Sequence, residues 1–426
     1  MCGIAGAFLQ KSNNFDDLIH KMNSFQVHRG PDGSGVWHED NIGLGHRRLA
    51  ILDLSDAGAQ PMSSMCGRYM LVYNGEIYNH LDLRSLLEKE SADISWQGTS
   101  DTETLLACIA NWGLNKTLKR AHGMFAFALW DRLKKNLSLA RDIMGEKPLY
   151  WGWAGKDIVF GSELKALRAH EYFPKKICKL GLAQYLHFKY VPAPRSIYPG
   201  IYKLEPGTIL SIQNDFPSSA PRDPIRPGEM YGNIRIDRYW SIGKEIETGS
   251  SHYIHNRDQA VLELENVLSN AVNQQMISDV PLGAFLSGGV DSSAIVALMQ
   301  KQSSRRVKTF TIGFNEASFD ESHHAAAVAK HLGTEHSEIR VTDEDTRKVI
   351  PKLSHLYDEP FADSSQIPTY LVCNAAREKV TVALSGDGGD ELFGGYSRYI
   401  WGSEIWNHYT YIPYPIRRML GIFLKN

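Results

Sequence analysis

Cys2 stands directly after Met1 in this 426-residue chain. A thiol in that position can share one residue with a free α-amine. The small side chain permits removal of Met1, and the freed amine, titrating at about pH 8, could take the thiol proton. Taken alone, a cysteine at position two is usually an ordinary residue. Two glycine-rich stretches far along the chain carry a different chemistry. PLGAFLSGGVDSS (281–293) sets a glycine turn between an apolar strand and a helix, where backbone N–H groups and the helix N-terminus cradle an anion. It lacks the lysine of a P-loop. LSGDGGDELFGGY (384–396) again follows an apolar strand. Asp291 and Asp390 would then meet at the carboxyl ends of parallel strands, where open α/β sheets bind ligands. Two carboxylates there suit Mg²⁺ bridged to phosphates; helix capping is the plainer reading of both.

The elements that must position these residues change character along the chain. Up to about residue 175, short apolar runs at 4–8, 69–73, 125–130 and 137–140 read as buried strands separated by Gly, Asn and Asp turns. Helical periodicity appears at 81–87 and 102–112, the second helix capped by Asp101. This pattern predicts packed sheets covered by helices. Residues 176–257 hold VPAPRSIYPGIYKLEPG and a second proline-rich stretch at 216–227, predicting a connector with isolated strands and no core of its own. From 258 onward, helices (258–276, 292–300, 321–332, one reaching 357, 367–378) alternate with strands (281–286, 308–314, 336–341, 380–384). Such alternation predicts a doubly wound parallel sheet.

Composition bounds the partners. Hydrophobic residues make up 43% and charged residues 22%, with a net charge of −2, which argues against nucleic-acid and membrane-surface partners. The five cysteines show no CxxC spacing, so neither a zinc site nor a disulfide framework is expected. No apolar run reaches the roughly 18 residues of a membrane span, and MCGIAGAFLQ lacks the features of a signal peptide. A cytoplasmic protein is predicted.

CGIAGAF is followed by HRGPDGSG (28–35), GHRRLAILDLS (45–55), YNGEIYNH (73–80), SDTE (100–103), GMFAFALWD (123–131), ARDIMGEKPLYW (140–151) and FGSELKAL (160–167). In this order they closely resemble the class II glutamine amidotransferase domain, an α+β N-terminal-nucleophile hydrolase with an αββα sandwich. The resemblance implies that Cys2 attacks the side-chain amide of glutamine and that Asn74 and Gly75 stabilise the oxyanion. One such donor is worth about 3 kcal/mol in typical enzymes. Arg48 would grip the glutamine carboxylate, Glu76 and Asp101 its ammonium, and the backbone to Leu52 would line the pocket. Pro31-Asp32 reads as a structural turn, and no role is assigned to His28-Arg29.

SGGVDSS and SGDGGDE resemble the asparagine synthetase domain, an α/β ATP-pyrophosphatase. By that resemblance Leu286, Ile312, Ser385 and Gly386 contact the nucleotide, while Ser287, Gly288, Gly289, Asp291, Ser292 and Ser293 hold pyrophosphate. Asp387 takes the acidic position tied to adenylation. The implied domains are 1–175, a connector 176–257, and 258–426. ATP is the implied substrate and Mg²⁺ the cofactor at Asp291 and Asp390. The implied reaction turns ATP, aspartate, glutamine and water into asparagine, glutamate, AMP and pyrophosphate, through a Cys2 thioester and a β-aspartyl-AMP. Another acceptor carboxylate, such as a sugar uronic acid, a glutaminase acting alone, or a non-catalytic remnant are the alternatives; a homodimer is compatible with the family. The family's synthetase domain continues well beyond its second glycine loop, whereas this chain stops 36 residues after Asp390 (426 − 390). The expectation is therefore an incomplete synthetase half, with no residue matching the family's adenylation lysine.

Overall fold

The computed structural model describes residues 1–10, 15–90, 94–316 and 320–423. The chain divides into two compact units, Met1–Pro281 with Asp343–Tyr370, and Leu282–Thr342 with Leu371–Asn426.

The first unit is built on two antiparallel sheets. One runs, in spatial order, Ile201–Lys203, Tyr150–Ala154, Asp157–Gly161, Gly3–Phe8, Ile42–Arg48 and Gly33–Glu39. The other runs Met230–Tyr231, Ile234–Arg238, Thr208–Gln213, Asn136–Arg141, Gly123–Asp131, Tyr69–Ile77 and Met62–Ser63. The two-residue period of a strand divides their side chains between layers. Ile4 and Phe8 join Leu44, Val72, Ala126 and Trp130 between the sheets. Ala5 and Ala7 turn outward onto Phe15, Ile19 and Met22 of the helix Phe15–Ser24. On the far side, Leu71, Tyr73 and Phe127 pack on Leu83 and Leu87 of His80–Glu90 and on Leu105 and Ile109 of Asp101–Trp112. The result is the expected αββα sandwich, each fully buried large side chain contributing about 1.5–3 kcal/mol. Gly6 is required here, because a Cβ would lie 2.1 Å from the Phe160 ring.

Three details differ from the sequence reading. The proline-rich stretch from 176 to 257 supplies strands to both sheets, and Tyr202 and Ile212 sit in the inter-sheet core. The helix Asp101–Trp112 is capped by the hydroxyl of Ser100, which accepts from Thr102 N–H at 3.1 Å, leaving Asp101 free for other bonds. The helix expected to reach 357 breaks into Asp343–Val349, the tighter turn Ile350–Lys352 and Leu353–Leu356, because Pro351 supplies no N–H and clashes within a helix.

The second unit is a four-stranded parallel sheet ordered Glu335–Val341, Lys308–Phe314, Leu282–Phe285, Val382–Leu384. The first three strands in the chain step outward on one side, and the fourth returns to the other side of Leu282–Phe285. This reversal makes the sheet doubly wound, with its switch point beside Leu282–Phe285. Gly333 closes the helix Ser322–Leu332 at φ 72°, a left-handed position that glycine adopts without strain. The helices Ser397–Thr410 and Tyr414–Phe423 bury none of their residues. No helix among the described residues is long and apolar enough to cross a membrane.

Candidate active sites

Cys2 immediately precedes the strand Gly3–Phe8, whose antiparallel register sets Gly3 opposite Arg47. That pairing brings Leu49 to the thiol. The Leu49 N–H donates to Sγ at 3.4 Å, and Sγ donates back to the Leu49 carbonyl at 3.6 Å. Burial pushes the Cys2 thiol up, with the Leu49 N–H acting against it. Burial also pulls the α-amine, here borne by Met1, down to about 6. That amine belongs to Met1, and the Cys2 nitrogen is then a peptide amide, while the raised thiol keeps its proton, so proton transfer must accompany attack.

Asn74 and Gly75 lie in the strand Tyr69–Ile77. Asn74 is 1% exposed and its Nδ2 has no hydrogen-bond partner, which costs about 1–3 kcal/mol unless something else receives the donor. Gly75 admits no side chain, since a Cβ would lie 2.3 Å from the Met124 carbonyl oxygen. Glu76 is buried, and its carboxyl is pushed up to about 7 by burial and by Asp101, with Lys147 opposing. Asp101 is also raised by burial and accepts from the Tyr73 hydroxyl and the Ile77 N–H, each at 2.8 Å. Arg48 has both terminal nitrogens on loop carbonyls, Ser55 at 2.8 Å and Asp53. It braces the loop containing half-buried Leu52, and gripping a carboxylate would require it to share or release these bonds.

Sequence reasoning missed several residues around this pocket. Asp53 fastens the loop to its neighbour, accepting from Thr99 N–H at 2.7 Å; its left-handed φ of 55° is one that aspartate tolerates. Buried Lys147, inside the quoted GEKPLYW run, faces Glu76 electrostatically and is lowered by burial. Asp32, in the turn read from the sequence as structural, takes the Ala50 N–H at 2.9 Å, and its own N–H donates to the Arg48 carbonyl at 2.9 Å.

In the second unit the two glycine loops touch. SGGVDSS follows the strand Leu282–Phe285 and opens the helix Val290–Gln302; SGDGGDE follows the adjacent strand Val382–Leu384. A Cβ on Gly386 would lie 2.6 Å from Ser292 N, and one on Gly389 would lie 2.4 Å from Asp291 Oδ2. Gly288 holds φ 84°, and a Cβ there would meet Ala325 N at 2.7 Å. Ser287 and Ser292 hydroxyls bond each other at 2.9 Å. Gly289 caps the helix without a side-chain bond, and the buried hydroxyl of Ser293 has no partner. These spare donors at a helix N-terminus suit a phosphate group. Leu286 is buried with its N–H on the Phe310 carbonyl at 2.9 Å, and Ile312 is half-buried one strand away. Ser385 and Gly386 follow the other neighbour; Asp387 is exposed, its N–H 3.4 Å from Ser385 Oγ. Asp390 packs against Gly395, whose Cβ would lie 2.0 Å from Oδ1. No group of three or more potential metal ligands occurs among the described residues, so Asp291 and Asp390 fit a magnesium ion only if phosphate oxygens complete its shell.

Two family models match the chain, a glutamine amidotransferase domain over residues 1–220 and asparagine synthase over residues 263–423. Asparagine synthetase [glutamine-hydrolyzing] 1 of Bacillus subtilis is 37% identical over 404 residues, covering 94% of this chain and 59% of that protein. A Methanocaldococcus jannaschii protein of the same family name is 37% identical over 423 residues, covering 94% of this chain and 77% of its own length. The chain therefore spans about three-fifths of the first of these relatives. Among solved structures, a glutamine phosphoribosylpyrophosphate amidotransferase from B. subtilis matches at TM-score 0.40 and 15% identity, over 79% of this chain and 65% of the other.

Proposed function

The chain belongs to the glutamine-hydrolysing asparagine synthetase family, and from that premise we propose that it makes an amide with nitrogen drawn from glutamine and energy from ATP. What supports the reading is the pairing, in one chain, of a buried and unspent Asn74 amide donor in the unit that holds Cys2 with a two-loop anion site at a sheet switch point. Cys2 Sγ attacks the glutamine side-chain carbon while its proton passes to the α-amine freed by loss of Met1. Asn74 Nδ2 and the Gly75 N–H receive the oxyanion. The α-ammonium returns that proton to the leaving nitrogen, and collapse expels ammonia and leaves a thioester, which water cleaves to glutamate. Arg48 orients the glutamine carboxylate, the backbone through Leu52 closes one wall, and Glu76 and Asp101 hold the ammonium.

In the second unit, residues 287–293 hold the pyrophosphate portion of ATP, and Leu286, Ile312, Ser385 and Gly386 surround the nucleoside. A magnesium ion held by Asp291 and Asp390 would neutralise phosphate charge. Aspartate's β-carboxylate attacks the α-phosphorus, releasing pyrophosphate, and Asp387 takes the acidic position tied to this adenylation. Ammonia then displaces AMP to give asparagine. The working compartment is the cytoplasm. The test supplies ATP, glutamine and a panel of carboxylates, with AMP as readout. Aspartate alone should raise AMP release; a response to another acid but not to aspartate would reject the acceptor.

A further inference from the structure

Arg29 donates Nε–H to the Cys2 carbonyl at 2.9 Å and NH1 to Glu163 Oε1 at 3.0 Å. The same carboxylate meets His28 Nε2 at 3.0 Å and Lys165 Nζ at 3.1 Å. Lys165 carries the chain of charges onward. Its Nζ lies 3.4 Å from Asp358 Oδ1 and donates to the His355 carbonyl at 2.9 Å, and its backbone N–H reaches Asp358 Oδ2 at 3.2 Å. The side chains of Arg29, Glu163, Lys165 and Asp358 are 8, 13, 18 and 11% exposed, so salt screens them weakly. Burial alone would raise Glu163, but the His28 bond and the Arg29 charge hold it at about 2. Nearby residues pin the same segment. Glu359 accepts from Ile197 N–H at 2.6 Å and the Tyr150 hydroxyl at 3.2 Å, and Ala362 N–H reaches the Lys189 carbonyl at 2.9 Å.

All of these residues lie in the first unit, whose segment Asp343–Tyr370 is flanked in sequence on both sides by chain of the second unit. None of Arg29, Glu163, Lys165 or Asp358 touches the reacting atoms in the mechanism above. Removing one partner from a buried ion chain leaves the next charge uncompensated, so loss of Asp358 would be felt at Lys165, then Glu163, then Arg29. We propose that Arg29, Glu163, Lys165 and Asp358 form a positioning relay that keeps the Cys2 main chain in its attacking position while the segment 355–362 is seated. Lifting the segment would loosen Cys2 and slow ammonia release. This rests on reading Cys2 as the glutaminase nucleophile.

The test uses the full chain with Lys165→Ala, Asp358→Asn, the double variant and Lys165→Arg. Two readouts are followed: glutamine hydrolysis, and the rate of Cys2 alkylation by iodoacetamide resolved by peptide mass. Thermal melting reports whether each variant is folded. Lys165→Ala and Asp358→Asn should each lower glutaminase kcat about tenfold, since small misplacements of a nucleophile cost that much or more. KM for glutamine should stay within about twofold, and Cys2 should alkylate severalfold faster. The double variant should be no worse than the poorer single one, as expected for members of one network, and Lys165→Arg should recover at least half of kcat. Unchanged kcat and alkylation beside a lowered melting temperature would overturn the relay and leave these residues as structural anchors. If the unaltered chain hydrolyses no glutamine, the functional reading fails; the alkylation rates then decide the relay by themselves.

Discussion

Asn74 keeps a buried amide nitrogen without a partner inside a strand that runs in register beside Gly123–Asp131. Asn74→Ala should therefore lower glutaminase kcat by about 10²–10³, equivalent to about 2.7–4 kcal/mol, with a smaller change in KM. Steady-state kinetics check this, and a loss confined to KM would move Asn74 from the oxyanion to ground-state binding. Glu76 sets a pH dependence. Its carboxyl sits at about 7, and only the charged form attracts the substrate ammonium. KM for glutamine should thus rise as pH falls below about 7, and Glu76→Gln should flatten that limb; an unchanged profile in the variant contradicts the assignment. At this scale the sequence was informative where motif order named the residue, as for Cys2, Asn74 and Asp101. It was silent on Arg48's loop carbonyls, which depend on how the nearby loop turns back, and on Lys147 and Glu163, whose partners lie tens of residues or more away and meet only in the folded sandwich.

Between elements, the governing feature is the contact of the two glycine loops at the switch point. Gly288 combines a left-handed φ with backbone 2.7 Å from where a Cβ would stand. Gly288→Ala should abolish AMP release while glutamine hydrolysis continues, as measured by separate assays; retention of AMP release would remove this loop from the nucleotide site. The alternation of helix and strand made the parallel sheet legible, down to Gly333 as a helix stop. The strands at 201–213 and 230–238 were harder to read because proline-rich turns between them mimic a linker. The one-residue shift of the helix cap from Asp101 to Ser100 has a structural consequence: the Asp101 carboxylate, not spent on capping, accepts from the Tyr73 hydroxyl and the Ile77 N–H.

Across the whole molecule, burial is uneven. Among the described residues, the first unit has three large apolar clusters. In the second, Trp401 and Trp406 are more than half exposed on a helix that buries nothing. Regions with few buried contacts open at low free-energy cost, so limited proteolysis should cut within 397–423 before any strand of the sandwich; first cleavage inside 1–160 would contradict this. The αββα sandwich and the parallel sheet share one chain, and the proposed function stands on nitrogen passing from a chemistry in the first to one in the second. The most direct measurement supplies amide-¹⁵N-glutamine, ATP and aspartate and follows the label by mass spectrometry. The account predicts ¹⁵N in the side-chain amide of asparagine, lost in Cys2→Ala and replaced there by nitrogen from added ammonia. Absence of asparagine from both nitrogen sources would contradict it.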